Sequence, residues 1–69
     1  MTVEEIRDRV ADIRRRGVVE HDDESAHGFE DGLYEDLLRH IALHAPEPFC
    51  SLAAEALKSQ AIDFSRWCA

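Results

Sequence analysis

The sequence predicts an all-α fold, a small bundle of three helices with a short hydrophobic C-terminal turn packed back on it. Three features carry that expectation. Apolar residues recur at three- and four-residue spacing through most of the 69 positions, the period of a helix with one buried face. No stretch alternates apolar and polar residues in the way of a half-buried strand. Capping residues, a glycine and two prolines fall between the periodic segments, where helices start and stop.

The first helix is expected at about residues 3–16. Thr2-Val3-Glu4-Glu5 has the form of a capping box, in which the threonine hydroxyl meets the backbone at Glu5. Val3, Ile6, Val10 and Ile13 then make one narrow stripe. Arg14, Arg15 and Arg16 load the last turn, where cations complement the helix dipole, and Gly17 is the expected stop.

The second helix is expected at about residues 23–45, capped by Asp22 or Asp23 and ended before Pro46 and Pro48. Its apolar set is Ala26, Phe29, Leu33, Tyr34, Leu37, Leu38 and Ile41. At 100° per residue these fall within an arc of about 180°, a broad buried face. The third helix is expected at about residues 48–58, with Phe49, Leu52, Ala53, Ala56 and Leu57 as its apolar side. Residues 61–68 form the expected clasp, in which Ile62, Phe64 and Trp67 dock and Arg66 stays at the surface near an acid of the second helix. The chain, 1–69, is read as one helical domain.

Composition narrows the function. Eight Lys and Arg stand against fifteen Asp and Glu, a formal charge of −7, with 45% apolar and 33% charged residues. That balance suits a soluble domain and excludes a phosphate-backbone binder, which needs cations to displace counterions. Direct nucleic-acid binding is therefore not expected. No apolar run is long enough for a membrane span and no secretory pattern is present, so a cytoplasmic setting is expected. In that setting Cys50 and Cys68 are expected to be reduced, packed thiols. A chain this short buries only about 60% of its unfolded surface, and a homodimer is the expected reinforcement.

The negative charge is concentrated. Residues 20–36 hold eight carboxylates and no Lys or Arg, whereas residues 37–69 hold three cations against three acids. Gly28 and Gly32 lie four apart within the acidic segment, where the absence of side chains makes a flat patch that another backbone can approach. The candidate partner surface is Glu24, Gly28, Asp31, Gly32, Glu35 and Asp36. Its chemistry calls for a basic or polar partner.

Other polar residues read structurally. Glu30 falls inside the apolar face of the second helix, so an ion pair with Arg7 or Arg14 is expected to compensate its burial. His40 and His44 are one turn apart, as are His27 and Asp31, but neither pair comes with the third and fourth ligands of a metal site. No metal and no cofactor are expected. Glu20-His21-Asp22-Asp23 is loosely similar to an acidic motif of all-α nucleotide pyrophosphohydrolases, without the Glu-x-x-Glu partner that would complete it. No nucleophile–base arrangement or phosphate loop is recognisable either. An enzyme is not expected.

Two segments carry a resemblance. Asp22-Asp23-Glu24-x-Ala26-His27-x-x-Glu30-Asp31-x-Leu33-Tyr34-x-x-Leu37-Leu38, and Ile62-Asp63-Phe64-x-Arg66-Trp67-Cys68, are similar to short uncharacterised proteins of actinobacteriophages and actinobacterial prophages. The resemblance covers about half the chain. It implies a small accessory protein in the bacterial cytoplasm and brings no catalytic residues with it. The expected function is non-enzymatic binding of a host or phage protein. Two alternatives stand beside it: mimicry of nucleic acid toward a DNA-binding protein, and metal-dependent chemistry on acids and histidines.

Overall fold

A computed structural model describes residues 1–66 of the chain. The fold is all-α. Helix α1 spans Val3–Arg14, α2 Asp23–His44 and α3 Phe49–Leu57; a π turn, Arg15–Val19, extends α1, and a 3₁₀ turn, Lys58–Ala61, extends α3. No strand occurs among the described residues. These residues group into two compact units, Met1–Leu33 and Tyr34–Arg66.

In the first unit, α1 begins as its sequence dictates. Thr2 Oγ1 accepts from the Glu5 backbone N–H at 3.1 Å, which satisfies one of the donors that every helix start leaves open. Glu4 and Glu5 lie in the first turn and Arg14 in the last, in register with the helix dipole. The end of the helix differs from expectation. Gly17 does not stop it, and no glycine has positive φ. The chain instead widens into the π turn, where the Glu20 N–H reaches the Arg15 carbonyl at 2.9 Å and the Asp22 N–H the Arg16 carbonyl at 2.8 Å. His21, at φ 55°, makes the reversal.

Gly17 serves close approach. A Cβ on it would lie 3.3 Å from the Ala26 Cβ, tighter than a comfortable carbon contact. A side chain there would need the π turn or α2 to give by a few tenths of an ångström, which glycine avoids. Asp22 then caps α2 by accepting from the Ser25 N–H at 3.2 Å. The contacts Gly17–Ala26, Arg16–Ser25 and Arg9–Gly32 run in opposite chain directions, so α1 and the start of α2 are antiparallel.

In the second unit, a short segment containing a cis Glu47–Pro48 peptide bond joins α2 to α3. Pro48 occupies the N-cap of α3 and its carbonyl accepts from the Leu52 N–H at 3.0 Å. A proline is suited to a helix start, where its missing N–H removes no helical bond. Past the 3₁₀ turn, Arg66 folds the chain back: Nη2 donates to the Ser59 and Ile62 carbonyls at 3.0 and 3.2 Å. Its guanidinium lies 3.7 Å from the Phe64 ring centroid.

That segment closes by a different agent from the one expected. Ile62 and Phe64 stay 58% and 55% exposed, so a cation gathering carbonyls, rather than apolar docking, shapes the turn. Arg66 is engaged with these carbonyls instead of an acid of α2. Trp67 lies outside the described residues. Burial is sparse throughout: among the described residues only Leu33 and Ala53 are buried, at 4% and 5% exposed. No helix is long and apolar enough to cross a membrane among the described residues.

Candidate functional site

The first unit is organised by arginines of α1 and the π turn. Asp12 is their hub. It accepts from Arg16 Nε at 3.0 Å and from Arg15 Nη2, and Arg15 Nη1 also reaches Glu20. Hydrogen bonds from Arg16 first, then Arg15, hold the Asp12 carboxyl below the usual carboxylate range. The same bond from Asp12 raises Arg15 further above its already high value.

Arg16 also crosses to α2. Its Nη1 donates to Ser25 Oγ at 2.9 Å and its guanidinium stands 3.9 Å from the Phe29 ring centroid. One planar cation thus serves a carboxylate, a hydroxyl and a ring face, three partners that its flat fork can meet at once. In the sequence Arg16 shows only as a complement to the helix dipole. The signal that could have found its role was Phe29 and Ser25, four apart on the α2 turn that an antiparallel neighbour must face.

Several grooves lie along this hairpin, and two of them hold residues singled out in the sequence. One, of about 430 Å³, has Val10, Ile13, Val18 and Ala26 on its walls with Arg14, His27 and Glu30 among its polar members. Glu30 is half-buried and shares this groove with Arg14, one of its two expected partners; the other, Arg7, is exposed. The other groove, of about 420 Å³, brings Glu24, Gly28 and Gly32 together with Arg9, Ser25 and Phe29.

The six residues of the expected partner surface therefore divide. Glu24 is exposed, and Gly28 is open, since a Cβ there would meet nothing within 4 Å. Gly32 is half-buried beneath Arg9, whose Nη2 would lie 3.7 Å from a Cβ at that position. Asp31 is exposed, with Oδ2 3.4 Å from His27 Nε2. Glu35 and Asp36 belong to the second unit, where Glu35 Oε1 meets Arg39 Nη2 at 2.5 Å and Asp36 is exposed.

His40, His44 and Cys50 have structural partners. His40 and His44 stack with ring centroids 4.6 Å apart and planes tilted by 47°. No group of three or more His, Cys, Asp or Glu is placed to hold a metal ion among the described residues. Cys50 is a free thiol whose Sγ donates to Glu47 Oε1 at 2.8 Å, and Ser51 Oγ donates to the same carboxylate. The Glu47 bond pushes the Cys50 thiol up, away from the thiolate that nucleophilic chemistry requires. Bonds from Cys50 and Ser51 lower Glu47 in turn.

These features define a class: a small acidic all-α protein with an arginine-stapled helical hairpin beside an open, glycine-lined groove. No protein-family model, curated protein or solved structure matches the chain.

Proposed function

We propose that this chain is a non-enzymatic interaction protein, and that the Glu24–Gly28–Gly32 groove with the neighbouring Asp31 receives a protein partner. The observation that carries the reading is the open Gly28, flanked by exposed carboxylates and by the Phe29 ring. A glycine within a helix interior weakens it by about 1 kcal/mol against alanine. At an open position that weakness has no packing reason, and unobstructed access for a partner supplies one. The groove calls for a basic or polar segment that sets Lys or Arg against Glu24 and Asp31 and a small apolar group on Phe29.

The resemblance to actinobacteriophage and prophage proteins supports a host or phage protein in the bacterial cytoplasm as that partner. Positive charge interrupts the carboxylates, from Arg9 at Gly32 in one unit and from Arg39 on Glu35 in the other. That pattern favours a local basic patch on a partner over mimicry of a continuous phosphate stripe. Metal-dependent chemistry has no observation in its favour.

The test is affinity capture from phage-infected actinobacterial lysate with the native chain, Glu24→Gln/Asp31→Asn and Gly28→Leu. A partner held by the native chain should be lost from both variants and should dissociate as salt rises, because exposed charge pairs are screened. Gly28→Ala is expected to raise stability by up to about 1 kcal/mol while weakening capture. Identical captured proteins across all variants would refute the proposed surface.

A further inference from the structure

The second unit carries a surface of the opposite character. An open groove of about 460 Å³ is lined by Leu38, Ile41, Ala45, Phe49, Leu52 and Ala53, with no ionisable side chain among them. Phe49 and Leu52 stand 57% and 64% exposed at its edge. Tyr34, one helical turn before Leu38, is 57% exposed. Large apolar side chains held in water around an apolar groove favour removal of that area from solvent.

We infer that this face pairs with the same face of a second copy of the chain, Phe49 and Leu52 of each copy seated in the groove of the other. Charge selects the occupant. Two copies meeting on residues 20–36 would set eight carboxylates against eight, whereas the groove itself has no ionisable side chain and the unit around it, residues 34–66, carries three cations and five acids. Of the neighbouring charges, Lys58 pairs with Glu55 at 2.7 Å, Arg39 with Glu35, Glu47 with Cys50 and Ser51, and Arg66 with backbone carbonyls. A two-fold interface must be complementary to itself. A neutral apolar face meets that condition and the acidic segment does not.

Area agrees with charge. A standard interface buries about 800 Å² per partner, of which somewhat over half is non-polar, roughly 450–500 Å². At their observed exposures Tyr34, Phe49 and Leu52 present on the order of 350 Å², and the groove walls of Leu38, Ile41 and Ala45 supply the remainder. Ridge and groove lie side by side on one surface, which lets two helices interlock when the copy is turned through a half rotation. The inference concerns the second unit alone and does not depend on the acidic surface.

Sedimentation equilibrium of the full chain at about 100 µM, well above a micromolar dissociation constant, should return twice the 7.9 kDa chain mass. The melting temperature should rise with protein concentration, as mass action requires of a dimer. Leu52→Glu buries a carboxylate in both copies of the pairing and should give the single-chain mass. Leu43→Glu, on a side chain 78% exposed and outside the groove, should remain a dimer. If Leu52→Glu loses its helical circular dichroism, Leu52→Ala decides in its place, with a dissociation constant weakened at least tenfold. A single-chain mass for the native protein overturns the inference and leaves the face to a partner of another sequence. A dimer indifferent to Leu52, or one dissociated by Leu43→Glu, overturns it as well.

Discussion

The unit Met1–Leu33 and the unit Tyr34–Arg66 solve the same problem, too little core, in different ways. Among the described residues each buries one, Leu33 in the first and Ala53 in the second. The first adds polar geometry between elements: Arg16 joins Asp12 to Ser25 and Phe29, and Gly17 lets backbone close on Ala26. In the second, Arg39 Nη2 reaches Gln60 Oε1 at 3.3 Å between helical elements, and Tyr34, Phe49 and Leu52 stay largely exposed. The lesson is that a charged unit can close on itself through directional bonds. The second unit keeps exposed Phe49 and Leu52 around one apolar groove, where they are available for association. The first leaves Val3, Val10, Val18, Val19 and Phe29 exposed, but charged residues line the grooves of its hairpin.

Breaking the first unit at its buried residue should have the largest effect. Leu33→Ala should cost about 2–4 kcal/mol, a large share of the stability of so small a domain. Chemical denaturation measures the loss, and amide exchange should show it in residues 3–33. Arg16→Ala comes next, at about 1–2 kcal/mol, because one part-buried group loses a carboxylate, a hydroxyl and a ring together. Arg16→Lys should recover only part of it, since an ammonium cannot reproduce the planar fork. If Arg16→Ala leaves denaturation unchanged, directional bonding is not what closes this unit.

In the second unit, Arg66→Ala should cost less than about 1 kcal/mol, as the loss of exposed hydrogen bonds does. Its mark is faster amide exchange at Ile62, whose N–H meets the Ser59 carbonyl at 3.1 Å in the turn that Arg66 clips. The smallest effect is that of pH. Asp12 has a folded pKa below its unfolded value, with Arg16 as the main cause. Its stabilising contribution is therefore complete above the ordinary carboxylate range near 4 and is lost as pH falls through the lower folded value. Acid denaturation of native protein and Asp12→Asn should converge at low pH; curves that stay parallel would mean Asp12 stabilises by packing alone.

Much of the fold was legible because helices are local. The threonine cap, the 3.6-residue period and the prolines all act within a few residues, and α2 and α3 begin and end within a residue of their expected positions. The end of α1 was misread because Gly17 has two uses, reversal and close approach, and only the neighbour Ala26 decides between them. At the C-terminal turn the difference is confined to Ile62 and Phe64: both are apolar enough to dock, yet they stay exposed while Arg66 gathers the carbonyls of Ser59, Ile62 and Phe64. Of the expected partner surface, the acid run was plain in the sequence. That Gly28 lies open while Gly32 sits under Arg9 was not, because the two glycines are equivalent until α1 is placed beside them.

The sequence by itself determined the all-α class, the helix order and the concentration of negative charge in residues 20–36, since each follows from neighbours along the chain. Tertiary structure alone decided which arginine would staple the hairpin, which glycine would face solvent, and which apolar side chains would remain in water. The physical reason is distance along the chain. Arg16 and Phe29 are thirteen positions apart and Arg9 and Gly32 twenty-three, far beyond the four-residue reach of helical periodicity. Whether such residues meet depends on how two backbones pack, which no local pattern encodes.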